Sequence, residues 1–271
     1  MGTFEAIILG IVQGLTEFLP ISSSGHLRIV PAFAGWKDPG SAFTAVVQLG
    51  TMAAVLLYFR KDLWRIAMTW LRGLRDPAAR GDHDYKMGWY IVLGTAPIAV
   101  IGFLLRHPIK TGARDLYVIG TALILFSFVM VAAERLATQK REVEDIDRDD
   151  AITIGFAQAL ALCPGVSRSG ATISAGLFRG LDRTAAARYS FLLSVPAVVL
   201  SGLFELKDIG EGNGAPAGAT AIATLLAFVV GYGSIAWLLR FLVRHPITVF
   251  AAYRFALGVL VLALAATGTI S

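Results

Sequence analysis

Two stretches of the sequence combine the residue types that phosphoryl chemistry uses. The first, residues 10–27, reads GIVQGLTEFLPISSSGHL. Gln13 and Glu17 lie four residues apart, so a helix places them on one face. Pro20 then ends that helix. The polar residues that follow the break are Ser22, Ser23, Ser24 and His26. The pattern predicts a broken helix whose tip presents hydroxyls and an imidazole one turn beyond a carboxylate.

The second stretch, residues 155–172, reads GFAQALALCPGVSRSGAT, with Pro164 and Gly165 as the break. Its tip residues are Ser167, Arg168, Ser169 and Thr172. A guanidinium matches phosphate oxygens bidentately, and Glu or His can take a proton from a serine hydroxyl. A helix N-terminus after each tip adds backbone N–H groups. Together the two tips predict a phosphate-binding and phosphoryl-transfer site.

The same residues also have structural explanations. Ser and Gly clusters also serve as turns and N-caps, Gln13 and Gln158 are suited to interhelical hydrogen bonds, and Arg168 could neutralise a structural carboxylate. Ionisable residues within apolar segments are costly, however, and usually mark function. An arginine between two serines, opposite a Glu/Ser/His tip, favours an anion site.

The elements that carry these tips belong to a membrane protein. Of the 271 residues, 56% are hydrophobic and only 16% are charged, against about 25% in soluble domains. This composition excludes a disordered chain and disfavours a water-soluble enzyme. Six runs without Lys, Arg, Asp, Glu or His approach or exceed the length that crosses a bilayer. These runs are residues 42–59, 88–105, 116–133, 189–204, 214–239 and 255–271.

The sequence also predicts an internal duplication. At an offset of 145, Gly10 aligns with Gly155, Gln13 with Gln158 and Ser22-x-Ser-Gly with Ser167-x-Ser-Gly, and RHPI recurs at 106–109 and 244–247. Each half holds one interrupted segment (4–35 or 151–187) and three spans, and three crossings invert the second half. We expect an all-α integral membrane protein with six transmembrane helices plus two re-entrant helical hairpins. It forms a single membrane domain, 1–271, with repeat one at about 1–135 and repeat two at about 146–271.

Charges orient this topology. One side of the membrane carries six Lys/Arg and the other sixteen, seven of them in residues 60–87. Because the basic side is normally cytoplasmic, both termini and the first hairpin are expected outside. Residues 60–87 also space their apolar side chains as an interfacial helix does. The positive net charge of +5 is assigned to these loops beside anionic lipid, and no nucleic-acid partner is expected. Cys163, the single cysteine, is expected to be a buried thiol.

The sequences of both tips resemble the motifs of one known family. QGLTEFLPISSSGH (13–26) and PGVSRSGATIS (164–174) are similar to the two signature motifs of the undecaprenyl pyrophosphate phosphatases of the BacA/UppP family, and the likeness extends to AARYSFLLSVP (186–196). The resemblance implies removal of the terminal phosphate of undecaprenyl diphosphate, which recycles the lipid carrier for peptidoglycan and cell-wall synthesis. It also implies a bacterial inner membrane, a site that opens to the periplasm, and dependence on a divalent metal, Mg²⁺ or Ca²⁺.

The resemblance assigns roles to individual residues. The catalytic set is Glu17, Ser23, His26 and Arg168, and the phosphate is surrounded by Ser167, Ser169 and Thr172. From their place at the first tip, Ser22 and Ser24 are further phosphate-binding candidates. Glu17 and Gln13 are the metal candidates. Gln13 stands where many members have a second Glu, and a neutral amide is a weaker ligand for a hard cation.

Several alternatives stay open at this point. Ser23 as nucleophile with Glu17 as base is the preferred mechanism; His26 is an alternative base or the acid for the leaving group, and attack by an activated water is the runner-up. A transporter or flippase for a lipid-linked phosphate is the alternative function, since inverted repeats with broken helices are a transporter architecture. The other large family of membrane lipid phosphatases is rejected, because it needs a His after its SR segment, where this chain has Ser174. The expected partners are a polyprenyl diphosphate, membrane lipids and, in a homodimer, a second copy.

Overall fold

Helices make up the regular structure of the computed structural model, which describes residues 1–105, 115–205 and 216–270. Within these ranges there are eleven α-helices, three short 3₁₀ helices and no β-strand. The first half contains α1 (Thr3–Thr16), α2 (Ser23–Ala34), α3 (Gly40–Tyr58), α4 (Arg60–Arg75), α5 (His83–Leu104) and α6 (Leu116–Leu136). The second half contains α7 (Arg148–Ala159), α8 (Arg168–Phe178), α9 (Arg183–Glu205), α10 (Ala217–Leu242) and α11 (Thr248–Ala266). An all-helical chain is therefore confirmed.

Four of the helices, α5, α6, α10 and α11, are long and apolar enough to cross a membrane. A fifth span forms if α3 and α4 count together, although the chain bends by 75° between them. The predicted span 189–204 lies within α9, a helix that is not among these four. The multi-pass membrane character is thus confirmed at four to five candidate spans. The first RHPI copy, 106–109, lies outside the described residues.

The span boundaries differ from the charge-free runs on which the prediction relied. Helix α11 begins at Thr248, so Arg254 lies inside the helix instead of opening the span. Its side chain is fully buried in the protein. Similarly, α5 begins at His83 and includes charged residues in its first turn. A charge ends an apolar run in the sequence, but it does not end a helix when the side chain has protein partners or reaches the interface.

Both interrupted segments are helix–break–helix units. Helix α1 ends at Thr16 and α2 begins at Ser23; α7 ends at Ala159, a 3₁₀ turn follows, and α8 begins at Arg168. Gly165, directly after Pro164, takes a φ of +92°, which glycine adopts without strain. Each first arm thus ends before its proline: α1 ends four residues before Pro20, where the sequence pattern places the end, and α7 ends five residues before Pro164.

Small residues allow the first arm of each unit to pack closely on a span from the other half. A Cβ added at Gly10 in α1 would lie 2.5 Å from the carbonyl oxygen of Ala223 in α10. A Cβ at Gly155 in α7 would lie 2.6 Å from the carbonyl oxygen of Gly94 in α5. Backbones that approach this closely gain van der Waals contact, which is the main force between helices in lipid.

We predict that Gly155→Leu destabilises the folded protein, because either the α5 backbone or the α7 backbone must shift. Overpacking of this kind costs about 1–3 kcal/mol. The matched control is Gly233→Leu in α10, where an added side chain meets nothing within 4 Å. Thermal unfolding in detergent should show a lower Tm for the Gly155 variant only. Equal Tm values for the two variants would contradict the close α5–α7 contact.

Candidate active site

The two broken tips share one backbone geometry. Ser22 and Ser167, equivalent at the offset of 145, have φ values of 76° and 75° and are the N-caps of α2 and α8. Each side-chain oxygen accepts a hydrogen bond from a glycine N–H, that of Gly25 at 3.4 Å and that of Gly170 at 3.1 Å. A non-glycine residue with positive φ is strained and persists only where its surroundings hold it. The two tips are therefore constructed in the same way.

Glu17 joins the two tips. Its Oε2 atom accepts hydrogen bonds from the Ser23 hydroxyl at 2.7 Å and from Gln13 Nε2 at 3.1 Å. Its Oε1 atom accepts from Arg168 Nη2 at 3.2 Å. The carboxylate is 8% exposed, so these bonds form where water screens charge poorly. The structure thus brings together the predicted carboxylate, serine and arginine.

Arg168 and its neighbours complete the second tip. Arg168 Nη1 also donates to the carbonyl oxygen of Ser190 in α9 at 3.3 Å. The Ser190 hydroxyl lies 2.6 Å from that of Thr172, and Ser190 is a site residue that the sequence did not single out. Ser169 Oγ donates across to the carbonyl oxygen of Leu19 at 3.0 Å. Ser169 and Thr172 are fully buried: Ser169 joins the second tip to the first, and Thr172 joins it to α9.

Arg254 is the largest omission of the sequence-based prediction. It lies on α11, and its guanidinium donates to the carbonyl oxygens of Pro20 at 3.2 Å, Val166 at 2.9 Å and Gly165 at 2.8 Å. One guanidinium therefore supplies hydrogen-bond donors to backbone carbonyl oxygens at both breaks. It also lies over the Phe126 ring, 5.4 Å from the ring centroid. The sequence did not reveal that Arg254 binds the breaks, because it lies at the edge of an apolar run and no local pattern distinguishes a buried arginine from an exposed one.

His26 does not line the cavity between the tips. Its Nδ1 atom lies 2.7 Å from the carbonyl oxygen of Ser22, and its Nε2 atom lies 2.8 Å from the hydroxyl of Tyr253. The side chain is buried, with 6% of the residue exposed. In this structure both ring nitrogens have partners, and the Ser22 carbonyl that the imidazole contacts directly precedes Ser23.

The cavity has a volume of about 200 Å³ and both polar and apolar lining residues. The polar ones are Gln13, Glu17, Ser22, Ser23, Ser24, Thr44, Gln48, Ser167 and Arg168. The apolar ones are Ile98, Ala161, Leu162, Ala197 and Val198. Such a cavity suits an amphipathic ligand with an anionic head and a hydrocarbon tail. Thr44 and Gln48, both on α3, are further lining residues that the motifs did not reveal.

The oxygen donors in this cavity fit a hard divalent cation. Gln13 Oε1 is buried and has no hydrogen-bond partner, while Glu17 supplies a carboxylate on the same helix face. Among the described residues no cluster of three His, Cys, Asp or Glu side chains occurs. Mg²⁺ is commonly held by one or two carboxylates together with substrate phosphates, so a protein cage is not required.

Cys163 differs from its prediction, because it is exposed on the protein surface and not buried. It directly follows the 3₁₀ turn Leu160–Leu162 at the break and precedes Pro164.

Fold and site together define a helical membrane protein whose cavity is built around a buried Glu17–Arg168 ion pair. The family model described as "Bacitracin resistance protein BacA" matches residues 6–260. The chain belongs to this BacA family.

Several relatives match over essentially their full length. The chain is 55% identical to a Mycobacterium sp. (strain KMS) protein named undecaprenyl-diphosphatase, over 100% of this chain and 99% of the relative. It is 53% identical to a protein of the same name from Nocardioides sp. (strain ATCC BAA-499 / JS614), over 98% of each chain. A Thermobifida fusca (strain YX) relative, also named undecaprenyl-diphosphatase, is 52% identical over 100% of this chain and 93% of its own length.

We predict that Arg254→Met destabilises the protein by more than about 2 kcal/mol, since it leaves three buried carbonyl oxygens without their donors. Arg240→Met is the control, because Arg240 is exposed on α10. Thermal unfolding in detergent should separate the two variants by several degrees. A Tm for Arg254→Met equal to that of the control would show that the breaks hold without this guanidinium.

Proposed function

We propose that this protein is an integral-membrane phosphatase that hydrolyses undecaprenyl diphosphate to undecaprenyl phosphate and inorganic phosphate. The observation that carries the proposal is the Glu17 carboxylate, which accepts a 2.7 Å hydrogen bond from Ser23 and a 3.2 Å bond from Arg168. The names of the full-length relatives support the same substrate and reaction. The product is the lipid carrier that cell-wall synthesis uses again.

Ser23 is the nucleophile in this mechanism. Its hydroxyl already donates to Glu17 Oε2, so the carboxylate is placed to take the proton as Oγ attacks the terminal phosphorus. The Oγ–P bond forms while the bond from that phosphorus to the bridging oxygen breaks, and undecaprenyl phosphate leaves. Water then hydrolyses the phosphoserine and releases phosphate. Direct attack by a water held at Glu17 is the competing route.

Arg168 binds the diphosphate in this scheme. Without ligand its guanidinium neutralises Glu17; with a diphosphate in the cavity the same fork can turn to paired phosphate oxygens. That exchange frees Glu17 to act as a base when substrate is present. Ser22, Ser24 and Ser167 line the cavity and supply further donors. A divalent cation, Mg²⁺ or Ca²⁺, bound by Glu17 and Gln13 Oε1, would offset the remaining phosphate charge.

The proposed topology is six spans and two re-entrant hairpins arranged as an inverted repeat. In its support, Gly120 on α6 and Gly258 on α11, equivalent at the RHPI offset of 138, pack against each other. A Cβ on Gly258 would lie 2.8 Å from the carbonyl oxygen of Gly120, and one on Gly120 would lie 3.3 Å from that of Gly258. A reciprocal contact between equivalent residues is what a pseudo-two-fold axis produces. The homodimer stays a prediction.

We further propose a bacterial inner-membrane location in which the site opens to the periplasm. The argument is the distribution of Lys and Arg, six against sixteen, with the basic side in the cytoplasm. The hairpin of Glu17 and Ser23 then enters from outside, and that of Arg168 enters from inside. A flippase or transporter is the less favoured function, because the relatives are named as phosphatases.

We predict that Ser23→Ala lowers the hydrolysis rate by at least about 100-fold, because nucleophilic and general-base effects have that size. The assay is phosphate release from undecaprenyl diphosphate by purified protein in detergent, where no gradient exists. Ser234→Ala is the matched control, since Ser234 Oγ only donates to the Val230 carbonyl within α10.

The outcomes separate the alternatives. Wild-type turnover in purified Ser23→Ala would favour direct attack by water. No phosphate release from the wild-type protein would overturn the phosphatase proposal and return the transporter to first place.

We predict that, in a Cys163→Ser background, a cysteine at Lys37 reacts with an impermeant thiol reagent in intact cells, whereas one at Ala78 does not. Lys37 lies between α2 and α3 and Ala78 lies between α4 and α5, and both are exposed. Labelling of Ala78→Cys alone would reverse the orientation. Labelling of both would contradict an odd number of crossings between them.

A further inference from the structure

Tyr253 has no role in the motifs, yet it contacts a residue of the first tip. Its hydroxyl lies 2.8 Å from His26 Nε2, and the two rings stack with centroids 5.7 Å apart and planes 12° from parallel. Tyr253 is neither part of the cavity wall nor close in sequence to His26, from which it is separated by 227 positions. The contact exists only because α11 packs beside the first break.

The hydrogen bonds fix the protonation of the imidazole ring. A carbonyl oxygen can only accept, so the 2.7 Å contact with Ser22 requires a proton on Nδ1 of His26. In a neutral imidazole, Nε2 is then an acceptor and the Tyr253 hydroxyl is its donor. The chain of bonds therefore runs from the Tyr253 hydroxyl through the ring to the Ser22 carbonyl, one residue before Ser23.

The second tip provides an internal comparison. Ser167 adopts the same φ as Ser22, but the position equivalent to His26 is Ala171. The carbonyl oxygen of Ser167 accepts from the Ala171 backbone N–H at 2.9 Å, as that of Ser22 does from the His26 N–H at 3.1 Å. The turn thus forms without an imidazole. The additional bond occurs at the tip that carries the nucleophile.

We propose that Tyr253 and His26 are positioning residues for the hydrolysis of the lipid diphosphate, which fix the Ser22 carbonyl and thereby the attack geometry of Ser23. This inference rests on the proposed function, with Ser23 as the group positioned. Neither ring nitrogen transfers a proton to or from the substrate. The imidazole acts through the backbone, and the tyrosine acts through the imidazole.

The first test is Tyr253→Phe, which keeps the stacked ring and removes only the hydroxyl. Its kcat for a polyprenyl diphosphate should fall about 10-fold with KM changed less than about 2-fold, since a small displacement of a reacting group slows chemistry without weakening phosphate binding. Tyr117→Phe is the matched control, because Tyr117 likewise donates one hydrogen bond, to the Ala265 carbonyl at 3.1 Å, away from the cavity. Equal kcat values for the two variants would overturn the proposal.

The second test separates positioning from proton transfer. His26→Asn retains a donor for the Ser22 carbonyl but has no titrating group, so it should recover most of the kcat that His26→Ala loses. In the Asn background, Tyr253→Phe should have no further effect, because the acceptor for the hydroxyl is gone. An Asn variant as inactive as the Ala variant would assign His26 to acid–base catalysis and contradict the proposal.

A spectroscopic readout is independent of activity. The chain has four histidines, so ¹⁵N-histidine NMR of the full-length protein in detergent can resolve His26 by its loss in His26→Asn. We expect an Nδ1–H tautomer whose Nε2 resonance moves to that of a free acceptor in Tyr253→Phe. An Nε2 resonance that is unchanged in Tyr253→Phe would contradict the positioning role even if the wild-type enzyme is active. Failure of wild-type hydrolysis with the resonance shift intact would instead refute the function and leave the contact standing.

Discussion

The structure depends on one constraint: buried backbone that leaves the helix must find its hydrogen-bond partners inside the protein. The two breaks expose carbonyl oxygens that the surrounding apolar side chains cannot satisfy. The Arg254 guanidinium donates hydrogen bonds to three of these carbonyl oxygens. It reaches both breaks because α11 packs beside them. The tips are therefore held against each other by contacts within the protein, which is the preorganisation that the proposed site needs.

The polar groups at the tips follow from this arrangement. Once the breaks are fixed, Glu17 lies within reach of both Ser23 and Arg168, and each charge offsets the cost of burying the other. The pair remains available for chemistry because the cavity gives it access to a ligand. In the proposed mechanism a phosphate replaces the carboxylate as the partner of Arg168, which would couple substrate binding to activation of the base through one ion pair.

Close contacts between helices also hold the two tips in place. Gly10, Gly94 and Gly155 let the first arm of each unit approach a span from the other half. In lipid these contacts supply much of the packing energy, because apolar side chains gain little by leaving hydrocarbon. The two halves are thus interleaved at the level of the backbone, and each tip is supported by helices of both halves.

The sequence by itself determined the class of protein, the two breaks and the residues at their tips. Hydropathy, proline and serine clusters are local signals, and each acts through the residue on which it lies. The tertiary structure decided which residues meet: the Glu17–Arg168 pair, Arg254 across both breaks, Tyr253 on His26, and the position of Thr44 and Gln48 in the cavity wall. These partners are separated by tens to hundreds of positions, so no local pattern specifies them. Packing of the helices alone brings them into contact.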